Sequence, residues 1–185
     1  MRQDLVLRAQ AGDHDAFTTL VASSLDRLYG GARLILRDDG QAQDAVQDAM
    51  LRAWRGLKGL RQPARFDAWL YRLVVHACYR IARREGARRI VEVRLSPFDD
   101  PSVPDGQHSF LLRDQLERGF RRLSPEQRAV LVLRFYLDLS DADAAEVLGI
   151  PAGTLKSRLN RATHAMRAAL AAEERTPVQA EGPQA

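Results

Sequence analysis

A segment rich in proline, glycine and aspartate divides this sequence into two stretches. Residues 86–109 hold Pro97, Pro101 and Pro104 together with two glycines and three aspartates. Nothing in this segment could sustain a core, so we interpret it as a flexible linker that proline partly stiffens. On both sides, apolar residues recur at the three- and four-residue spacings of one helix face. The pattern predicts an all-α protein with two small helical domains joined by a flexible linker.

The predicted domains have definite boundaries. The first domain spans residues 1–85, the linker 86–110 and the second domain 111–172, and a polar tail expected to be disordered spans 173–185. Both domains carry a net positive charge, whereas the linker and the tail are net negative. A chain of 185 residues is long enough for two such units.

The composition narrows the class of protein. Lys and Arg number 28 against 24 Asp and Glu, a formal net charge of +4 that is compatible with nucleic-acid binding without requiring it. Cys78 is the single cysteine and the four histidines are scattered, so we expect no disulfide, no metal and no cofactor. No run of 18 apolar residues and no signal peptide occurs, which predicts a cytoplasmic protein without membrane insertion.

Start and stop signals divide the domains into elements. Asp13 is a predicted N-cap, and Gly30 and Gly31 are expected to weaken the helix that it starts. The predicted elements of the first domain are a short helix at 4–11, a long helix from 13 that ends at 38–40, helices at 41–56 and 66–84, and a loop at 58–65. In the second domain, Ser124 and Gln127 form a predicted capping box, which marks the start of a further helix.

The segment Ser140–Arg161 has the pattern of a helix-turn-helix. The first helix is predicted to end at Gly149, which supplies the positive φ of a tight turn, with Ala145 at the close crossing and Ile150 in the corner. The outward positions of the second helix carry cations, a hydroxyl and an amide, which suit the major groove and its phosphates. The alternative is an ordinary helical hairpin with a solvated charged face. The coincidence of all three signals favours DNA binding.

The helix predicted at 41–56 presents acidic and amide side chains opposite its apolar stripe. Asp44, Gln47 and Asp48 would suit a partner that carries arginines. The residues alone favour a simpler interpretation, a solvated face with an ion pair between Asp48 and Arg52. Because the carboxylates have no histidine or third acid nearby in the sequence, they predict no catalytic site.

The helix predicted at 66–84 combines aromatic residues with arginines. Surfaces that bind single strands use this combination, since cations follow the backbone and aromatic faces stack on bases. The alternative is that Trp69 and Tyr71 belong to the core. We interpret His76 as a surface or packing residue and Cys78 as a small hydrophobic residue.

Four motifs together resemble a bacterial RNA polymerase sigma factor of the extracytoplasmic-function group. They are AQDAVQDAMLRAW at 42–54, RFDAWLYRL at 65–73, LSPEQRAVLVLRF at 123–135 and GIPAGTLKSRLNRA at 149–162. The resemblance covers about residues 4–84 and 111–170. It implies a protein that catalyses nothing itself but binds core polymerase, directs it to specific promoters and assists promoter melting.

The resemblance also implies roles for individual residues. The positions that match the face for the polymerase β′ clamp helices are Asp44, Gln47, Asp48 and Arg52. Those that match the −10 promoter surface are Lys58, Arg61, Arg65, Trp69, Tyr71, Arg72, His76 and Arg80. Those that match the −35 reader are Thr154, Lys156, Ser157, Arg158, Asn160 and Arg161. Further implied partners are the polymerase β flap and an anti-sigma factor.

Some residues depart from the family pattern, and two other functions stay open. His76 stands where the family commonly has Asn and Arg80 where it has Asp, so the −10 base preference is not implied. The first helix of the helix-turn-helix starts with Asp141-Ala142-Asp143 instead of the commoner aromatic–acid pair. One alternative is a sigma-like adaptor that binds only an anti-sigma protein, although this chain keeps the cationic −35 face. The other is a plain helix-turn-helix repressor, which would not need the motif at 42–54.

Overall fold

The computed structural model describes residues 1–92 and 110–174, with side chains for 1–87 and 116–172. The elements are α1 (Arg2–Gln10), α2 (His14–Ala22), α3 (Leu25–Leu36), α4 (Asp39–Gly56), α5 (Phe66–Glu92), α6 (Phe110–Arg121), α7 (Pro125–Leu131), α8 (Asp141–Leu148) and α9 (Ala152–Glu174). Two short 3-10 turns at Leu57–Gly59 and Pro63–Arg65 join α4 to α5, and a π-helical turn at Val132–Tyr136 extends α7. The described residues contain no strand, so the all-α prediction is confirmed. Most of the predicted linker and tail lies outside the described residues.

The predicted capping signals are confirmed. The Asp13 carboxylate accepts a hydrogen bond from the backbone N–H of Ala16 at the start of α2. Ser124 and Gln127 cap α7 reciprocally, each side chain accepting from the other's backbone N–H. Gly149 ends α8 with φ +65°, the left-handed conformation that the turn was predicted to need.

Two helix boundaries differ from the predictions. The long helix expected from Asp13 is broken into α2 and α3 at Ser23 and Ser24, whose hydroxyls accept hydrogen bonds from the Arg2 guanidinium at 2.8 Å. Serine side chains compete with helical hydrogen bonding, which favours such a break. The helix expected to end at Arg84 continues as α5 to Glu92.

The two halves of the chain share one hydrophobic core. Leu28 of α3, Phe66 and Leu70 of α5, and Leu133 and Val147 of the C-terminal half belong to the same cluster, each at most 1% exposed. A smaller separate cluster around Met166 lies between α7 and α9, with Leu170 against it. We expected each half to bury its own apolar faces, but α3 and α5 also pack against α7 and α8.

The C-terminal half packs against a pair of glycines in α3. A Cβ on Gly30 would lie far inside van der Waals distance of the Tyr136 hydroxyl, and one on Gly31 would lie 3.4 Å from Val132. The bare helix surface therefore lets the π-helical turn approach closely. The glycines predicted as weak points of a helix are thus a packing site between the two halves.

Candidate nucleic-acid interface

On the acidic face of α4, one carboxylate is paired with two arginines. Asp44 and Gln47 are exposed, whereas the Asp48 carboxylate binds both Arg52, at 2.9 Å, and Arg80 of α5. Partial burial acts against ionisation of Asp48, but the hydrogen bonds from both arginines hold its pKa below the usual value. Asp48 therefore stays ionised at neutral pH and links α4 to α5.

Arg80 of α5 reaches the acidic face of α4. We predicted it on the −10 surface, together with other cations of α5. Its guanidinium instead pairs with Asp48, because α4 and α5 pack side by side and bring these residues, 32 positions apart, together. Arg80 thus joins the acidic face of α4.

The loop between α4 and α5 forms a cationic cleft beside an aromatic ring. The cleft has a volume of about 270 Å³. Its lining residues are Leu60, Arg61, Gln62, Arg65, Ala68, Trp69, Arg72 and Glu146. Three exposed guanidinium groups thus surround a half-buried indole, the two components of a single-strand surface. We call this feature the loop cleft. It brings together four of the eight residues predicted for the −10 surface.

The remaining residues of that set lie elsewhere. Lys58 is exposed beside a second cleft of about 310 Å³, where His14 stacks on Trp54 with 4.3 Å between ring centroids. His76 is half-buried on α5, and burial, followed by the charges of Arg72 and Arg80, lowers its pKa.

Tyr71, another residue predicted for the −10 surface, is buried. Its side chain is 8% exposed and lies in the shared core, so it cannot stack on a base from solvent. The cause is that α5 is covered on more than one face, by α3 and α4 and also by α7 and α8. Burial raises the pKa of the Tyr71 phenol accordingly. The core alternative that the sequence left open applies to Tyr71.

Carboxylates from the C-terminal half enter the loop cleft. The Arg65 guanidinium lies 3.0 Å from Asp143 Oδ1 and 3.2 Å from Glu146 Oε2, both on α8. Glu146, which lines the cleft, is not among the residues predicted from the sequence. The unusual acidic start of α8 was visible in the sequence, but nothing local connects it to an arginine 78 positions away.

The helix-turn-helix has the predicted geometry. Leu155, Ala162 and Met166 bury one face of α9, at 1%, 0% and 9% exposure. The residues predicted for the −35 element occupy the other positions. Lys156, Ser157, Asn160 and Arg161 are exposed, and Thr154 and Arg158 are partly exposed. Arg158 and Arg161 line a cleft of about 390 Å³ with Ser124, Glu126, Gln127 and Val130.

Cys78 and Arg128 are buried titratable side chains that contribute to packing. Burial raises the pKa of the Cys78 thiol to about 12, which makes it a poor nucleophile. Burial lowers the pKa of Arg128 to about 10, and its Nη1 donates to the backbone carbonyls of Phe120 and Leu123 at the end of α6.

In the described part of the chain, no group of three or more histidine, cysteine or acidic side chains is placed to hold a metal ion. Every helix in residues 1–92 and 110–174 is too short or too polar to span a bilayer.

Comparison with known families and sequences matches both halves of the chain. The family model described as Sigma-70 region 2 matches residues 20–88, and the one described as Sigma-70, region 4 matches residues 113–166. The ECF RNA polymerase sigma factor SigM of Mycobacterium tuberculosis is 38% identical over 160 residues, covering 86% of this chain and 79% of that protein. The RNA polymerase sigma-H factor of Pseudomonas aeruginosa is 32% identical over 183 residues, covering 91% and 93%.

Two solved structures are similar over most of the chain. CnrH, in complex with the cytosolic domain of CnrY, has a TM-score of 0.67 and 27% identity and covers 93% of this chain and 98% of that one. The sigma factor RpoE of Bartonella quintana, in complex with the anti-sigma factor NepR, has a TM-score of 0.69. At 24% identity over 84% of this chain and 96% of that chain, it shows a shared fold.

Proposed function

Because the chain belongs to the ECF RNA polymerase sigma factors, which bind core polymerase and direct it to promoters, we propose that three of its surfaces divide this work. The units are residues 1–85, which would bind polymerase and the −10 element, and residues 111–172, which would bind the −35 element. Neither unit is expected to catalyse a reaction. The place of action is the cytoplasm, where polymerase and promoters are found.

The acidic face of α4 is the proposed docking surface for the β′ clamp helices. Asp44 and Gln47 are exposed, and Asp48 stays ionised beside Arg52. A face that combines carboxylate, amide and guanidinium groups fits a polar partner surface of mixed charge. The arginine partners of Asp48 hold its carboxylate in one orientation, which lowers the entropic cost of docking.

The loop cleft is the proposed site for the separated −10 strand, and it is the observation that carries the proposal. Trp69 offers a ring for stacking, while Arg61, Arg65 and Arg72 surround it with donors for phosphates and base edges. A volume of about 270 Å³ suits one extruded base better than a duplex. Lys58 and His76 extend the cationic and polar surface along the loop and helix.

The exposed side of α9 is the proposed reader of the −35 element. Its first turns carry the six side chains predicted for this role, and its other face is buried in the domain. In a helix-turn-helix, the second helix enters the major groove by its N-terminal part, where these residues stand. A further proposed partner is the polymerase β flap, which the family resemblance implies. Another is an anti-sigma factor, since RpoE is bound by the anti-sigma factor NepR and CnrH by the cytosolic domain of CnrY.

Run-off transcription tests the proposal. Sigma-free core polymerase is incubated with fragmented host DNA, with and without the full chain, and the transcripts are mapped. Discrete new transcripts are expected, and their start sites would locate both promoter elements. Absence of core binding would contradict the proposal and favour the adaptor or the repressor.

A further inference from the structure

The loop cleft already holds anionic groups of the same chain. Asp143 and Glu146 reach Arg65 from α8, at 3.0 and 3.2 Å, and Glu146 is part of the lining. The helix-turn-helix turn also lies against the cleft, since a Cβ on Gly149 would stand 3.6 Å from Arg72 Nη2. The helix-turn-helix therefore contacts two of the three arginines in the cleft, Arg65 and Arg72, which remain partly open to solvent beside it.

Packing, more than charge, sets this position of α8. Exposed ion pairs contribute only about 0.2–1 kcal/mol each and would not by themselves orient a domain. However, Ala144, Ala145 and Val147 of α8 are buried in the core that both halves share. The carboxylates are thus delivered to Arg65 by an apolar contact.

A second group of contacts, made by α3, holds the same arrangement. The Arg27 guanidinium donates to the backbone carbonyl of Leu137 at 2.9 Å, and Arg33 pairs with Glu117 at 3.0 Å. Tyr136 occupies the space above Gly30. These contacts link α3 to the π-helical turn and to α6. The contact of α8 with the loop cleft is therefore part of a larger interface between the two halves.

A carboxylate and a phosphate compete for the same donors. Both present oxygens to a guanidinium at about 2.7–2.9 Å in favourable geometry, and one guanidinium edge cannot serve both. We propose that α8 is an internal competitor for single-stranded DNA, with Asp143 and Glu146 holding Arg65 until the C-terminal half moves away. This inference rests on the proposed role of the loop cleft. It implies that the free chain binds a strand weakly and that separation of the two halves releases the cleft.

The test compares two double variants of the full chain. D143N/E146Q removes both charges at Arg65 while keeping side-chain size and the Ser140 cap. D138N/D141N removes two charges of the same half, both of which pair with Arg134, and Asn tolerates the φ of +53° at position 138. Binding of a fluorescein-labelled oligothymidylate about ten nucleotides long is followed by anisotropy in the absence of polymerase.

The expected result is a rise in affinity of about three- to tenfold for D143N/E146Q over the matched control. Adding Arg65→Ala to both double variants should remove this difference in affinity. The guanidinium for which the carboxylates and the strand compete is then absent. Equal affinities of the two double variants would overturn the inference, since the gain would then follow from net charge alone.

A second measurement separates this inference from the proposed function. In the holoenzyme, Trp69→Ala is assayed for promoter opening with permanganate footprinting. If opening falls while the two double variants bind the strand equally, the cleft binds DNA and α8 does not compete. If opening is unchanged, the role of the cleft is wrong, and the inference falls with it.

Discussion

The two basic surfaces of this sigma factor differ in what lies opposite them. In the loop cleft, Arg65 faces two carboxylates of α8, and the turn after α8 lies against Arg72. On α9, Lys156, Asn160 and Arg161 are exposed, and no acidic side chain is paired with them among the described ion pairs. The difference shows that similar composition can produce one surface whose arginine is paired within the chain and one whose cations are left exposed.

The largest expected effect comes from breaking the core that joins the two surfaces. Leu133→Ala removes a side chain that is fully buried, and the expected loss is about 2–5 kcal/mol of unfolding free energy. Denaturant unfolding is followed by circular dichroism for the whole chain and by fluorescence of Trp54 and Trp69, both of which belong to the N-terminal half. Both midpoints should shift together because the core is shared. An unshifted fluorescence midpoint would show that the halves unfold independently.

Removing the aromatic ring of the loop cleft tests the surface whose arginine is paired. Trp69→Ala should reduce promoter opening about ten- to a hundredfold, because stacking contributes about 1–3 kcal/mol per base. Permanganate reactivity of the −10 strand in the holoenzyme measures the effect. The control is Tyr71→Phe, which should leave opening unchanged because this ring is buried. A comparable loss for Tyr71→Phe would argue against the structural distinction between the two rings.

Removing a cation of α9 tests the open surface. Arg158→Ala should lower transcription from promoters that depend on the −35 element about tenfold, while affinity for core polymerase stays unchanged. Transcription is measured by run-off assays, supported by gel-shift titration on −35 duplexes. Affinity for core polymerase is measured by competition. Arg167→Ala, an exposed cation farther along α9, is the control. Equal losses in both assays would indicate misfolding instead.

A smaller effect is expected where the N-terminal half meets polymerase. Charge reversal in Asp48→Lys should weaken binding to core polymerase several-fold. It should lower the unfolding free energy only slightly, since the new cation faces Arg52 and Arg80 at a partly exposed position. Arg80→Ala should reproduce a part of this loss and leave −10 strand binding intact, because Arg80 pairs with Asp48. Surface plasmon resonance against immobilised core polymerase checks both. Loss of strand binding in Arg80→Ala would restore its sequence-based assignment.

The smallest expected effect concerns His76, next to the loop cleft. Burial and the neighbouring Arg72 and Arg80 lower its pKa, so the folded chain binds the proton less readily than the unfolded chain does. The unfolding free energy should therefore decrease slightly as the pH falls below the ordinary value of 6.5. His76→Asn should make the melting temperature depend less on pH between about pH 5 and 7, the range in which histidine titrates. His164→Asn on the exposed side of α9 serves as the control, and an equal flattening there would contradict the assignment.

Local signals predicted most of the fold and which side chains of α9 face away from the core. The caps at Asp13, Ser124 and Ser140 and the turn at Gly149 involve residues within four positions of each other, so the sequence contains all the atoms that make them. The −35 face follows from the same short spacings, since burial of every third or fourth residue of α9 leaves the others outside. No comparable local rule separates Trp69 from Tyr71, which lie two positions apart on a helix that is covered on several faces.

The sequence by itself determined the helices, their caps, the helix-turn-helix and the family, because these depend on interactions within a turn or two of chain and on motifs read in order. Only the tertiary structure decided that Arg80 binds Asp48, that Tyr136 rests on Gly30 and that Asp143 of α8 pairs with Arg65 in the loop cleft. These pairings join residues 32 to 106 positions apart. They depend on which apolar faces pack together, and the helix faces of a single sequence do not specify their partners.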